Sequence, residues 1–204
     1  WQLPLLRLDF GTLYNNFFSE TERNLREALQ AAEAMAPCVL WIDEIEKAIA
    51  SGDYDSGTSR RILGNLLTWM AERKAAVFIV ATANAIEQLP PELIRKGRLD
   101  EIFFVDLPDA PTRAEILAIH LRSRDLKPVD FDLLELANLS EGFSGAELEQ
   151  AIVAGLYLAR EQQASLDTAH LRSEIDQTRP LSQVMAEKVE RLRAWAQGRT
   201  VTAD

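Results

Sequence analysis

The order of apolar and amphipathic segments predicts an α/β fold, a parallel sheet followed by a helical part. Short apolar runs alternate with helical patterns through about residue 106, which is typical of βαβ units. After residue 108 the strand signals stop and only helical patterns follow. We therefore predict an α/β subdomain over residues 1–108 and a helical subdomain over residues 109–204 that ends in a C-terminal helix.

Four short apolar runs predict the strands of the sheet. Each run is rich in leucine, β-branched or aromatic residues, and continuous apolar runs of this length are typical of strands covered on both faces. The four apolar runs that predict strands are residues 5–9, 38–42, 77–81 and 102–105.

Helix starts are marked by two capping boxes. Ser19 with Glu22 opens a helix with an apolar stripe before the second strand, and Ser144 with Glu147 opens one of the later helices. Another helix is predicted between the polar loop at residues 51–57 and the third strand. In the second half the helical patterns cover residues 112–122, 131–139, 144–161 and 181–197.

Charge and composition narrow the classes of function. The 204 residues include 22 basic and 32 acidic side chains, a net charge of −10, which argues against a nucleic-acid or anionic-membrane binder. No apolar stretch reaches membrane-spanning length. Cys38 is the single cysteine and lies in a predicted strand, which excludes an intrachain disulfide and favours a reducing compartment.

Two adjacent carboxylates, Asp43 and Glu44, follow directly on the second apolar run. In open α/β sheets, ligands bind beyond the carboxyl ends of the strands. Two charges are costly in a core unless a cation or a reacting molecule uses them. The pair suits metal-assisted phosphoryl chemistry, in which Asp43 holds Mg²⁺ through its water shell and Glu44 polarises an attacking water. A solvated turn at the strand end explains the same residues equally well.

Asn84 follows the third predicted strand. If this strand neighbours the second, the Asn84 amide lies beside the acidic pair, where it orients the attacking water or contacts a terminal phosphate. Taken alone, an asparagine after a strand is more often a turn residue.

Two arginines, Arg95 and Arg98, stand three residues apart on either side of a glycine. Guanidinium groups bind phosphate oxygens bidentately, so this pair suits the role of an arginine finger. Taken alone, the two arginines are surface charges that pair with Asp100 or Glu101 and contribute little to stability.

In this order and spacing, the segments resemble the AAA branch of the AAA+ ATPases from residue 1 to about residue 160. Residues 38–44 match the Walker B strand, Asn84 falls at the sensor-1 position, and Arg95 and Arg98 match the paired arginines that act on ATP bound to a neighbouring subunit. The resemblance implies a three-layer, parallel-sheet P-loop NTPase core. Within this branch, the chain most resembles the plastid and cyanobacterial AAA proteins named after a hypothetical chloroplast open reading frame. The segments that carry this narrower resemblance are residues 41–48, 89–104 and 191–204.

The resemblance also implies that the helical part is a lid over the nucleotide. It implies that His120 lies near the ribose and base, and that Gly145 and Ala146 lie against the adenine. An ordinary half-buried helix histidine is the alternative for His120. The cofactors implied are ATP and Mg²⁺, the assembly is a homo-oligomer, expected to be a hexamer, and the compartment is the cyanobacterial cytoplasm or the plastid stroma.

The chain departs from the family at several positions. At the family's pore loop it has Phe17 and Phe18 without the usual glycine, so these rings either grip an extended polypeptide or pack under the sheet. Ala85 replaces an arginine that makes a contact between subunits in the family. Lys96 and Leu99 replace the usual proline and phenylalanine, and we expect little effect from either.

One motif of the family is missing. No Gly-x-x-x-x-Gly-Lys-[Ser/Thr] loop, which supplies the phosphate cradle, occurs in the 204 residues. In the family this loop and the first strand precede the segment matched here, and that strand lies between the strands matched by residues 77–81 and 102–105. We therefore expect the parent protein to supply both, and this chain alone neither to bind nor to hydrolyse ATP well.

Two functions from different classes follow. The first is an AAA ATPase subunit that couples ATP hydrolysis in a ring to the remodelling of a protein client. The second is a nucleotide-responsive regulatory scaffold or binding module with little hydrolysis, which the altered pore loop and Ala85 favour slightly. A motor that acts on DNA fits the negative net charge poorly.

Overall fold

The computed structural model describes residues 1–10, 18–50, 56–95 and 97–203. The chain divides into two compact units, residues 1–102 and residues 103–204. The functional division into a core and a lid near residue 108 stays a prediction.

The first unit is built on a three-stranded parallel sheet. Its strands are β1 (Leu5–Asp9), β2 (Cys38–Asp43) and β3 (Val77–Ala81), in the order β1-β2-β3. Strands β1 and β3 begin and end where the sequence predicts, and β2 includes Asp43, one residue beyond the apolar run. Asp9 lies opposite Asp43, and Ile42 lies opposite Ala81. All three carboxyl ends therefore lie along the same edge of the sheet.

Three helices accompany this sheet: α1 (Phe18–Ala34), α2 (Lys47–Ala50) and α3 (Ser56–Glu72). The described helix α1 begins at Phe18, one residue before the predicted cap. Helices α1 and α3 bury apolar side chains against one face of the sheet, because burial of such surface is the main force that holds layers together. The buried core of this face includes Leu8, Leu25, Leu29, Cys38, Leu40, Ile42, Ile62, Leu66, Met70 and Val77.

The opposite face of the sheet is open in the described residues. Phe78 is 54% exposed and Val80 is 42% exposed, and both project from β3 on this face. The prediction that the strands are covered on both faces was therefore wrong for the described part of the chain. The reason is topological: successive right-handed crossovers that advance in one direction place their helices on the same side.

The second unit is mainly helical. A core of leucine and isoleucine side chains from its longer helices, joined by Phe131 and Phe143 from the connecting segments, holds it together. Its helices are α4 (Ala110–Arg122), α5 (Leu133–Leu139), α6 (Gly145–Glu161), α7 (Thr168–Gln177), α8 (Leu181–Val184) and α9 (Ala186–Ala196). The sequence did not predict α7, and the helix predicted over residues 181–197 is interrupted at Met185.

The second unit also contains two short strands. β4 (Phe103–Phe104) pairs in parallel with β5 (Val201–Thr202) in a sheet of its own. The prediction that no strand follows residue 108 was wrong at this point, and the predicted fourth strand is shorter than expected. In the described ranges, no helix combines the length and apolar character needed to cross a lipid bilayer.

Candidate active site

The carboxyl ends of β2 and β3 are joined by backbone hydrogen bonds that continue past the strands. The N–H of Thr82 donates to the carbonyl of Ile42 at 2.9 Å, and the N–H of Ile45 donates to the carbonyl of Thr82 at 2.9 Å. Asp43 and Glu44 lie between these two bonds in the chain. The turn that carries the acidic pair is therefore held against the loop that follows β3.

Both carboxylate oxygens of Asp43 accept hydrogen bonds from side chains of the chain. The Thr82 hydroxyl donates to Oδ1 at 2.8 Å, and the Arg7 guanidinium donates to Oδ2 at 2.7 Å. These contacts, the Thr82 hydrogen bond first and then the Arg7 hydrogen bond and charge, lower the pKa of Asp43 below its ordinary value. Asp43 is therefore a carboxylate well below neutral pH.

Glu44 has an unusual backbone conformation. Its φ of +50° lies in the left-handed region, which a residue with a Cβ adopts rarely. The Glu44 N–H donates to the Thr82 hydroxyl at 2.9 Å, which helps to hold this conformation. Strained residues of this kind cluster at functional sites.

The Glu44 side chain contacts both the predicted amide and a cation. Oε1 accepts a hydrogen bond from Nδ2 of Asn84 at 3.0 Å, and Oε2 forms an ion pair with Lys47, the first residue of α2. The structure thus brings Asp43, Glu44 and Asn84 together at one edge of the sheet, as their sequence positions predict. Their catalytic roles stay predictions.

Glu46 is a buried carboxyl group beside this cluster. Only 7% of the residue is exposed. Oε1 accepts the N–H of Asn84 at 2.9 Å, and Oε2 has no hydrogen-bond partner in the described residues. Glu46 therefore ties the loop after β3 to the turn after β2.

The donor chemistry at Asp43 fits magnesium. Mg²⁺ is bound in proteins through one or two carboxylates, and its other ligands are water and substrate phosphates. In the described part of the chain, no three His, Cys, Asp or Glu side chains lie close enough together to form a metal site by themselves. Asp43 at the strand end is the residue that would hold the ion, and this role stays a prediction.

The two predicted finger arginines lie in the turn that follows Leu93. Arg95 is exposed, and Arg98 donates through Nη1 to the carbonyl of Glu92 at 2.5 Å. Asp100 accepts the N–H of Gly97 at 3.2 Å. Within the described ranges no ion pair joins either arginine to an acid, so the alternative of pairing with Asp100 or Glu101 is not observed.

The predicted lid residues lie in the second unit. His120 on α4 is half-buried, and its Nδ1 lies 3.6 Å from Oε1 of Glu149, which also binds Arg124 at 2.8 Å. Gly145 is the first residue of α6, and Ala146 is exposed beside it. Their contacts with a nucleotide stay predictions.

The capping box that precedes these lid residues is confirmed. The Ser144 hydroxyl accepts the N–H of Glu147, and the Glu147 side chain accepts the N–H of Ser144 at 2.8 Å. Of the predicted pore-loop residues, Phe17 lies outside the described residues, as does the side chain of Phe18.

Sequence reasoning missed four residues of this cluster: Arg7, Lys47, Thr82 and Glu46. The signals were present but weak. Arg7 is a charge inside an apolar strand, and Lys47 follows Glu44 by three residues, a spacing that brings side chains together in a helical turn. Nothing local marked Thr82 or Glu46, because Asp43 lies 39 residues from Thr82 and Asn84 lies 38 residues from Glu46.

Comparison with known proteins identifies the class. The profile of the AAA family, described as the ATPase family associated with various cellular activities, matches residues 1–107. The chain belongs to this family, and the parallel sheet with its helices is the α/β core of a P-loop NTPase followed by a helical part. Members of the family are generally ATPases that bind ATP with Mg²⁺, and related members act as oligomeric rings.

The relatives define the branch. The chain is 46% identical over 199 residues to the AAA domain-containing protein ycf46 of Pyropia yezoensis. It is 45% identical over 201 residues to the ycf46 protein of Trieres chinensis. Each alignment covers 96% of this chain. It is 39% identical over 165 residues, 78% of the chain, to the proteasome-activating nucleotidase of Aeropyrum pernix. The chain spans 40% of the length of each of these relatives. The predicted family and its plastid branch are confirmed.

Proposed function

We propose that this chain is part of an AAA ATPase subunit that couples Mg-ATP hydrolysis in a ring to the remodelling of a protein client. The observation that carries the proposal is the cluster of Asp43, Glu44 and Asn84 at the carboxyl ends of two neighbouring parallel strands. Family membership supports the chemistry. The client and the ring size rest on the resemblance alone.

In this proposal, the two residues of the acidic pair have different roles in hydrolysis. Asp43 holds the magnesium ion, which, when bound, neutralises charge on the phosphate oxygens. Glu44 accepts a hydrogen bond from the attacking water and takes its proton. Asn84 orients the same water or contacts the terminal phosphate. The parallel pairing of β2 and β3 supports this division, because it sets all three side chains at one edge.

The remaining predicted residues act around this centre. Arg95 and Arg98 reach the ATP of a neighbouring subunit, and the exposure of Arg95 supports this role. His120, Gly145 and Ala146 contact the ribose and base from the lid. In a translocating ring, Phe17 and Phe18 contact the client.

The relatives support a proposal for the cellular compartment. The ycf46 proteins are encoded in plastid genomes, which supports a plastid stroma or cyanobacterial cytoplasm for this protein.

Replacement of Glu44 by Gln in the full-length protein tests the proposal. We expect E44Q to bind ATP and to hydrolyse it about a hundredfold or more slowly, because the amide cannot take the proton from water. ATP binding is measured by equilibrium titration and hydrolysis by phosphate release. E87Q, an acid-to-amide change on the 3₁₀ turn after β3, is the control and should retain normal turnover. Undiminished turnover in E44Q would remove Glu44 from the role of base.

A regulatory scaffold that binds nucleotide with little hydrolysis is the second candidate. The ion pair between Lys47 and Oε2 of Glu44 favours it, because it occupies an oxygen of the predicted base. Wild-type turnover of the full-length ring, measured with and without candidate clients, separates the two functions. A ring that assembles with ATP and shows no turnover in either condition is a scaffold.

A further inference from the structure

Each of the four carboxylate oxygens of the acidic pair is bound by a donor from the chain itself. Thr82 and Arg7 bind the two oxygens of Asp43. Asn84 and Lys47 bind the two oxygens of Glu44. The acidic pair is therefore held in a fixed orientation by four side chains.

The arrangement at Glu44 conflicts with its proposed work. A water that attacks ATP has to lie within hydrogen-bond reach of the base that takes its proton. In the proposed function, Glu44 and Asn84 hold this water together. In the structure, Asn84 binds Oε1 of Glu44 at 3.0 Å and Lys47 binds Oε2, so both carboxylate oxygens are directed at donors of the chain and the carboxylate has to reorient to take a proton from water.

Lys47 is placed to oppose a reorientation of the Glu44 carboxylate. It begins α2, its N–H donates to the carbonyl of Glu44 at 2.8 Å, and its ammonium group binds Oε2 of the same residue. Lys47 thus holds Glu44 at both the backbone and the side chain. The side chain of Lys47 is 51% exposed and that of Glu44 is 36% exposed, so water reaches the ion pair and breaking it costs little.

We propose that Lys47 is a positioning residue that tethers Glu44 to its contact with Asn84, so that hydrolysis requires Lys47 to leave Glu44. This inference rests on the proposed function and adds to it a restraint on the base. The restraint is modest, as an exposed ion pair must be, and it sets the fraction of time for which Glu44 is available to water.

The first test measures ATP hydrolysis by full-length K47M. Methionine keeps most of the length and apolar stem of lysine and removes the ammonium group. We expect kcat to rise about two- to fivefold, the factor that corresponds to the release of one exposed ion pair, with KM for ATP unchanged within about twofold. K47R keeps a cation and should restore a rate near that of the wild type.

A double variant shows whether the effect passes through Glu44. K47M should raise the rate when Glu44 is present and should have no effect in an E44Q background, because the tethered group is then no longer a base. A lysine with only a structural role would lower stability and rate in both backgrounds.

A second measurement does not depend on turnover. Acetic anhydride labels lysine amines according to their accessibility, and mass spectrometry locates the labels. In E44Q, which lacks the carboxylate that binds the ammonium group directly, Lys47 should be labelled faster than in the wild type, whereas labelling of Lys127, an exposed lysine of the second unit, should not change.

The possible outcomes separate this inference from the proposed function. Turnover that E44Q abolishes and K47M does not increase overturns the tether alone, and so does equal labelling of Lys47 in wild type and E44Q. An absence of turnover in the wild type and in every variant overturns the proposed function and the tether with it.

Discussion

Glu44 joins a left-handed backbone conformation to a set of polar contacts that the surrounding chain supplies. A φ of +50° costs free energy in a residue with a Cβ, and the hydrogen bond from the Glu44 N–H to Thr82 offsets part of that cost. Thr82 also binds Asp43, so one hydroxyl group positions both members of the acidic pair. At the residue scale, Thr82 is the side chain on which the geometry of the pair most depends.

Replacement of Thr82 by Val tests this dependence. Valine has the shape of threonine, lacks the hydroxyl and therefore loses both hydrogen bonds. We expect kcat of the full-length protein to fall between about ten- and a hundredfold, because small displacements of positioned groups are costly to catalysis. Phosphate release and urea unfolding are measured together.

The matched control for this prediction is T82S, which keeps the hydroxyl group. T82S should retain most of the wild-type rate. A rate near wild type in T82V would show that the two hydrogen bonds do not position the pair.

The sequence placed Asp43, Glu44 and Asn84 in the candidate site. It did not place Lys47 there. The first three follow apolar runs, and strands that run parallel bring such residues to one edge. The Lys47 ion pair depends on the left-handed turn at Glu44, which no local sequence pattern marks. The sequence of β1 did not indicate that Arg7 contacts Asp43, because this contact depends on how β1 pairs with β2.

At the element scale, the start of α6 is held by a carboxylate that serves two helices. Glu147 accepts the N–H of Ser144 within the capping box, and its Oε1 accepts the N–H of Leu181 at the start of α8 at 2.6 Å. Burial raises the pKa of Glu147, but these backbone hydrogen bonds and the Ser144 hydroxyl outweigh it, so the pKa is lowered overall. The charged form of Glu147 is the form that joins the two helices.

This lowered pKa gives a pH prediction. The unfolded chain binds a proton at Glu147 more readily than the folded chain does, so the contribution of Glu147 is present above its unfolded value of 4.5 and is lost as the pH falls through the lower folded value. At neutral pH we expect E147Q to destabilise this region by about 1 kcal/mol, as the loss of a helix cap does.

Amide hydrogen exchange of the intact protein measures this effect. The protection of the N–H groups of Ser144 and Leu181, corrected for intrinsic exchange rates, should be lower in E147Q than in the wild type at pH 7. The difference should shrink below pH 4.5. A difference that is independent of pH would contradict the role of the charge. E161Q, at the far end of α6, is the control and should exchange as the wild type does.

At the same scale, the open face that the described part of the sheet shows could not be predicted from the sequence. The alternation of buried and half-exposed residues in β2 is visible only with the tertiary structure, because Val39 and Trp41 are as apolar as the buried Leu40 and Ile42. An apolar run predicts a strand and does not say how many of its faces are covered.

At the scale of the whole molecule, the chain spans 40% of the length of the ycf46 protein of Pyropia yezoensis, and it carries residues that we propose for two sides of a site shared between subunits. Asp43 and Glu44 would act on the ATP of their own subunit, whereas Arg95 and Arg98 would act on that of a neighbour. In a ring, these two sets of residues should complement each other between subunits.

Mixing of full-length variants tests this complementation. E44Q lacks the base, and R95A/R98A lacks the finger, whose loss costs about a thousandfold or more in comparable enzymes. Each pure ring should be nearly inactive, whereas an equal mixture should regain up to about a quarter of the wild-type rate, because a quarter of randomly formed interfaces pair an intact base with an intact finger. Phosphate release after subunit exchange measures it.

The control is a mixture of E44Q with E44Q/R95A/R98A, in which no interface contains an intact base. That mixture should stay inactive. An R95A/R98A protein with normal turnover, or a first mixture as inactive as its parents, would contradict a site shared between subunits.

The sequence by itself determined the ends of β1 and β3, the capping box at Ser144, and the positions of Asp43, Glu44 and Asn84 at or just after the ends of β2 and β3. These features depend on hydrophobic periodicity, side-chain capping and the chain direction of parallel strands, and short segments of the sequence are enough to predict them. Only the tertiary structure decided that Lys47 and Arg7 bind the acidic pair and that, among the described residues, one face of the sheet is open. Those contacts depend on register, crossover handedness and a single left-handed residue, which join parts of the chain that are distant in sequence.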